Sequence, residues 1–243
     1  MGSGSIPADQ RRAGIRGKYH KTIKRGLTMD AFWLYLHILL LVFWVGTDVG
    51  VFIAAKWSER ATLSIETRQT VLQLGMVLDR LPRSALTLII PSGCQLAVAS
   101  GWLDMPSQYL LGMWAFAAIW LAILWRGFLS ADPRTQEQSA KINWLLNLVL
   151  ALAVSGAGMM LLLQGEIADW LALKVLAVGA IFCAGVLLDL LFKPAVDLFI
   201  GLAATPDDPE MNAAYSQALS PVYIAVLAIY AFALIAAALG VFK

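Results

Sequence analysis

Phe32-Trp33-Leu34-Tyr35-Leu36-His37-Ile38-Leu39-Leu40-Leu41-Val42-Phe43-Trp44-Val45-Gly46 is an apolar run with one imidazole inside it, and its flanks extend the stretch from Ala31 to Ala55. A hydrocarbon core about 30 Å thick takes roughly 20 such residues in a helix. The run therefore reads as a membrane-crossing helix. An ionisable residue within one is costly enough that a functional site is its default reading. The only other histidine, His20, lies in a basic stretch ahead of the run, so chemistry that requires imidazole falls to His37.

Five further windows of the same kind follow: Ser84 to Trp102, Tyr109 to Trp125, Ile142 to Gln164, Trp170 to Phe192 and Pro221 to Phe242. The chain is 60% hydrophobic and only 14% charged, a balance that excludes an ordinary soluble domain. The windows are continuous rather than alternating, which points to helices and away from barrel strands. The expected fold is all-α: a polytopic transmembrane bundle of six helices, in a single domain over residues 29–243. Pro91, Gly93 and Gln95 interrupt the second window and predict a kinked helix there. Between the first two windows, Ala61 to Arg83 is too polar to span. It repeats Leu63, Val71, Leu74, Leu78 and Leu81 at helical spacing, which predicts an interfacial amphipathic helix.

Cys94 and Cys183 fall deep inside expected helices, where a buried thiol is the ordinary reading and no disulfide framework is implied. The acidic, turn-rich segment at residues 205–210 leads to Ser220, the expected N-cap of the last helix, with Pro221 at its first position. Small residues in that helix and between Gly179 and Gly185 predict close helix packing.

Loop charges set the orientation. Lys56, Arg60, Arg68, Arg80, Arg83, Arg126, Arg134, Lys141 and Lys193 all fall in loops one, three and five, whereas loops two and four carry only Asp104, Glu166 and Asp169. The positive-inside rule places the first set in the cytoplasm of a bacterial inner-membrane, multi-pass protein. The basic tail at residues 1–28 opposes this arrangement. Its Gly-Ser-Gly-Ser opening suggests an appended extension ahead of a natural start at Met29, with the tail disordered. The rival reading keeps the tail cytoplasmic as a signal anchor and inverts every loop. A net charge of +2, with the basic residues beside the membrane, excludes nucleic acid as the expected partner. The lipid bilayer is the expected one, with partner membrane proteins or a second copy of the chain as further candidates.

Helices one, three and five run parallel, so residues equally far from their starts share a depth. His37 and Lys174 match in this way, with Met113, Met159, Met160 and Gln164 in the same layer. Trp33 and Trp170 lie near that face and read as an interfacial belt. For Lys174, snorkelling to the headgroups and a buried role weigh about equally. At the other face Asp48, Asp189, Arg80, Arg83, Asn143 and Asn147 share a depth, and an Asp48–Arg83 ion pair is the obvious expectation.

With no Glu-x-x-His, no Cys-x-x-Cys and no second intramembrane histidine, the usual zinc and di-iron arrangements are excluded. Three readings survive. His37 with Met or Lys could ligate haem b iron; His37 with Met113, Met159 and Met160 could hold Cu(I); or His37 could hydrogen-bond Gln164 or a backbone carbonyl and tighten the bundle.

His37-x6-Trp44-x-Gly46, together with Trp170-Leu-Ala-Leu-Lys174, resembles the pattern of the copper-resistance D and HemJ-like membrane proteins. The HemJ-like members are haem-binding protoporphyrinogen oxidases. The resemblance implies a haem b-binding redox protein with His37 as axial metal ligand and Lys174 as the second essential, catalytic residue. It covers helices one and five, and the six expected helices exceed the four-helix core of HemJ. A copper-handling transporter or sensor of the copper-resistance D type is the alternative. A non-catalytic accessory subunit of a membrane complex is the third.

Overall fold

The computed structural model describes the backbone of residues 8–242 and the side chains of residues 29–242, so the expected disordered tail over 1–28 lies outside the fully described residues. Seven helices follow in order: α1 (Ala8–Ser58), α2 (Ile65–Leu78), α3 (Arg80–Ala99), α4 (Ser107–Leu129), α5 (Pro133–Gln164), α6 (Asp169–Ala204) and α7 (Pro209–Val241). No strand occurs among the described residues. Five stretches are long and apolar enough to cross a membrane: Met29–Ser58 of α1, and the whole of α4, α5, α6 and α7. The outward surface suits a bilayer, since Phe32, Ile119, Leu152, Ile200, Ile224 and Leu234 all stand exposed.

The second expected window, in α3, is not among the five. Its Arg80, Arg83, Thr87, Ser92 and Gln95 lower the apolar content of this stretch. The helix tolerates this polarity by being covered. Pro82, Ala85, Thr87, Ile89, Pro91, Ser92, Leu96 and Ala97 are all buried, between α1 on one side and α4 on the other. Pro91 withdraws the amide that would bond the Thr87 carbonyl, yet α3 continues through it. α3 runs antiparallel to α1: His37 meets Ser92 and Gly93, and Trp44 packs with Ala85 and Ile89.

Neighbouring contacts close a ring in the order α1, α3, α4, α5, α6, α7, with α7 returning loosely to α1. Trp44, Ile89, Ile181, Ile229 and Ala233 form the apolar centre where α1, α3, α6 and α7 meet. Glycine sets the α5–α6 spacing. A Cβ on Gly158 would stand 2.8 Å from the Leu176 amide nitrogen, and one on Gly179 would stand 2.8 Å from that of Ser155. Gly185 has open space instead.

Two local expectations are corrected, the start of the last helix and the burial of Cys183. α7 starts twelve residues ahead of Pro221, because Asp208 accepts from the Glu210 and Met211 amides and Pro209 occupies the first turn. The Asp-Pro pair offers the same chemistry as Ser220-Pro221, and Pro221 sits inside the helix. α2 buries Arg68 and Gly75, with Gly75 against Ala54 of α1, while Leu74, Met76 and Val77 stay exposed. Cys183 is exposed on the outer side of α6 rather than buried.

Candidate functional site

His37 is partly buried against α3. The Ser92 hydroxyl has one proton, which it donates to the Ile89 carbonyl at 2.9 Å. Towards the His37 Nδ1, 3.0 Å away, the same oxygen therefore accepts. The Ile89 carbonyl also lies close to the ring. His37 is thus protonated on Nδ1 and carries its lone pair on Nε2. Ser92 is wholly buried, so this partner is fixed in place.

Two absent side chains make room for the imidazole and the ammonium group. A Cβ on Gly93 would lie 2.8 Å from His37 Cε1, so the ring lies in space that only glycine leaves. A Cβ on Gly240 of α7 would lie 2.7 Å from Lys174 Nζ. Lys174 stands close enough to His37 for its charge to act on the ring. Trp33 pairs with Trp114 at 5.8 Å and Trp170 with Trp102 at 5.2 Å, so these tryptophans join neighbouring segments as well as facing the membrane edge.

The remaining candidates stand apart. Met113 lines a cavity of about 510 Å³ between α3, α4 and α5, with Pro91, Tyr109, Phe116 and Trp120, and His37 is not in its wall. Met159 and Met160 are 49% and 57% exposed, and Gln164 is exposed too. All three belong to α5, which packs on α4 and α6 rather than on α1. The structure therefore groups His37, Ser92 and Lys174 and does not gather the thioethers around the imidazole.

At the opposite end of the same bundle lies a cavity of about 80 Å³ whose wall is mostly apolar, with Trp44, Leu86, Trp120, Ile181 and Ile229, and to which Asp48, Asp79, Arg83, Asn143, Asn147 and Asp189 bring polar groups. The expected Asp48–Arg83 pair does not form. Arg83 Nε donates to Asp79 at 2.6 Å and its Nη2 donates to Asp189 at 3.4 Å. Asp79 wins because it sits one helical turn before Arg83, where the two side chains meet with little ordering cost. Asp48 instead faces the Tyr230 hydroxyl, which has no partner in hydrogen-bond geometry.

A third polar group was not legible from the sequence. Arg68 is 1% exposed, donates to the Ser58 carbonyl at 2.6 Å and to Asn212 at 2.8 Å, and stands about 6 Å from the Phe199 and Tyr215 rings, which pack on each other at 5.1 Å. It ties α2 to the end of α1 and the start of α7. Beside it Glu59 accepts from Ser216 at 2.7 Å and from Tyr223. In the sequence Arg68 reads only as one more cytoplasmic charge. Its burial depends on α7 starting at Pro209, an element boundary that the Ser-Pro signal at 220–221 obscured.

Among the described residues no group of three or more His, Cys, Asp or Glu side chains converges as a metal site. No protein-family model, curated protein or solved structure matches the chain.

Proposed function

We propose that the chain is a bacterial inner-membrane redox protein that binds haem b through His37, in the manner implied by its resemblance to the HemJ-like proteins. The observation that carries the reading is the Ser92–His37 hydrogen bond of 3.0 Å on Nδ1, which leaves the Nε2 lone pair as the ligating atom. Metal-bound imidazoles depend on such a partner to hold the tautomer and the ring plane. Gly93 and Gly240 lack the Cβ atoms that would collide with the ring and with Lys174 Nζ, which lets both side chains take up these positions. These features fit an imidazole that would hold a haem iron, with a cation nearby.

His37 would hold the iron, and the Lys174 ammonium would attract a carboxylate, either of the porphyrin or of a substrate. Bound haem would supply one-electron chemistry. Ser92 orients His37 and keeps its Nδ1 proton in place. The apolar layer of Trp44, Ile89, Ile181 and Ile229 keeps water from reaching this end of the bundle from the other side.

The proposal includes six crossings. α3 has 20 residues and so rises about 30 Å, the thickness of a hydrocarbon core. Its antiparallel course beside α1 carries it through the same depth. With six crossings the basic loops share one face, taken as cytoplasmic, and α2 lies at that face. A reporter fused after Lys243 is expected to read as periplasmic.

The visible spectrum tests the haem reading. Protein purified after expression with adequate haem supply is expected to show a Soret band. His37→Ala and His37→Gln are expected to abolish it, and Lys174→Met to lower haem retention. A wild-type protein that shows no band and acquires none on reconstitution overturns the reading.

A further inference from the structure

The cavity at the Asp48 end carries a charge that its own residues do not compensate. Its wall holds three carboxylates, Asp48, Asp79 and Asp189, against one guanidinium, Arg83. Arg83 is committed to Asp79 and Asp189 through the bonds of 2.6 and 3.4 Å. Asp48 receives no N–H from it. The other polar groups in the wall are two neutral carboxamides from α5, and from α7 the Tyr230 hydroxyl faces Asp48. An unpaired carboxylate at this depth in a membrane protein is expensive and calls for a neutralising partner.

The asparagines say what fills the space. Asn143 is 5% exposed and Asn147 is 8% exposed, so both are more than nine-tenths buried. Asn143 Oδ1 accepts from the Trp120 indole at 3.0 Å, and Asn147 Nδ2 donates to the Asn143 carbonyl at 2.8 Å. The other half of each amide, a donor on Asn143 and an acceptor on Asn147, has no partner among the described residues. An unmatched donor and an unmatched acceptor in the wall of one cavity, beside three carboxylates, are a site for water. A volume of about 80 Å³ holds several molecules. Asp79, Asp189 and Arg83 are 27%, 26% and 33% exposed in their side chains, so the cavity reaches the surface at the α2–α3 junction.

We propose that this cavity is a hydrated proton-holding site, in which Asp48 carries a proton and exchanges it through cavity water with the face where α2 lies. In the exchange one O–H bond of the Asp48 carboxyl breaks, the proton passes to a cavity water, and the resulting hydronium gives a proton up at the surface. The reverse sequence reloads Asp48. The apolar layer around Trp44 and Ile89 closes the cavity off from His37, so exchange is with one face only. The site rests on the cavity alone and does not depend on haem.

Infrared spectroscopy of the purified full-length protein tests it. At neutral pH the wild type is expected to show a protonated-carboxyl stretch that shifts in D₂O, since the proton reaches solvent through water. Asp48→Asn is expected to remove that band, Tyr230→Phe to shift it, and His37→Ala to leave it unchanged. The last result separates this site from the haem reading. Absence of the band in the wild type, failure to shift in D₂O, or survival of the whole band in Asp48→Asn overturns the proposal. Loss of the wild-type band on adding sodium at constant pH also overturns it, by showing an alkali cation as the occupant. Should Asp48→Asn not fold, the wild-type exchange and the Tyr230→Phe shift still decide.

Discussion

His37 and Asp48 lie on one helix, about 16 Å apart along its axis at 1.5 Å per residue, and their surroundings differ in kind. Around His37 there are one buried hydroxyl, one glycine whose missing Cβ admits the ring, and the Lys174 cation across the bundle. Around Asp48 there are two more carboxylates, a guanidinium and two half-satisfied amides. Under the proposed haem reading, an imidazole whose hydrogen bond to Ser92 fixes its tautomer is held for a ligand. A crowd of groups whose charges do not balance is arranged for exchange. The apolar layer containing Trp44 lets both arrangements exist in one bundle without joining.

The crowded end breaks most easily. Arg83→Met leaves Asp79 and Asp189 without their common partner beside an already unpaired Asp48. Removing one member of a buried ion network costs 3–5 kcal/mol, and with a third of this side chain exposed the lower figure, about 3 kcal/mol, is expected. Thermal unfolding in detergent checks it. A loss below 1 kcal/mol would mean that the cavity is wet enough to screen its charges, and the contrast between the two ends would shrink.

Depth was legible in the sequence and direction around each helix axis was not. Counting 1.5 Å per residue brings His37 and Lys174 to one level and gathers Asp48, Arg83, Asn143, Asn147 and Asp189 at another. The same count places Met159, Met160 and Gln164 level with His37, yet they stand exposed on α5. Rotation of a helix about its own axis is decided by packing, here by Gly158 and Gly179 turning one face of α5 onto α6. Asp79 was missed as the partner of Arg83 because it read as part of the amphipathic stretch, where an i,i+4 pair on a new helix start was not in view. Ser92 was missed because one serine beside a proline carries no pattern. Its meaning comes from the antiparallel α1–α3 pairing.

The His37 end can be broken by filling its space. Gly93→Ala brings a methyl group within 2.8 Å of His37 Cε1, closer than carbon atoms approach, so the ring must shift. Overpacking of this sort costs about 1–3 kcal/mol, and haem retention is expected to fall with it. Gly46→Ala is the control, since a Cβ there meets nothing within 4 Å. It is expected to be neutral, or stabilising by up to about 1 kcal/mol through helix propensity. Equal effects from the two substitutions would show that the space beside His37 has no special role.

Ser92→Ala is the smallest change in stability and the sharpest test of the contrast. It removes one hydroxyl, so the expected cost is near the intramembrane average of about 0.6 kcal/mol, far below that of Arg83→Met. The Ile89 carbonyl stays near the ring. If His37 is held as a metal ligand, losing its orienting partner weakens haem affinity by about 10–100-fold, a functional loss out of proportion to the stability change. If His37 only tightens the α1–α3 contact, haem titration and thermal unfolding change together and little. A titration that matches wild type while unfolding shifts by the expected few tenths of a kcal/mol would leave the Ser92–His37 bond as a packing contact, and the two ends of the bundle would then differ in charge but not in purpose.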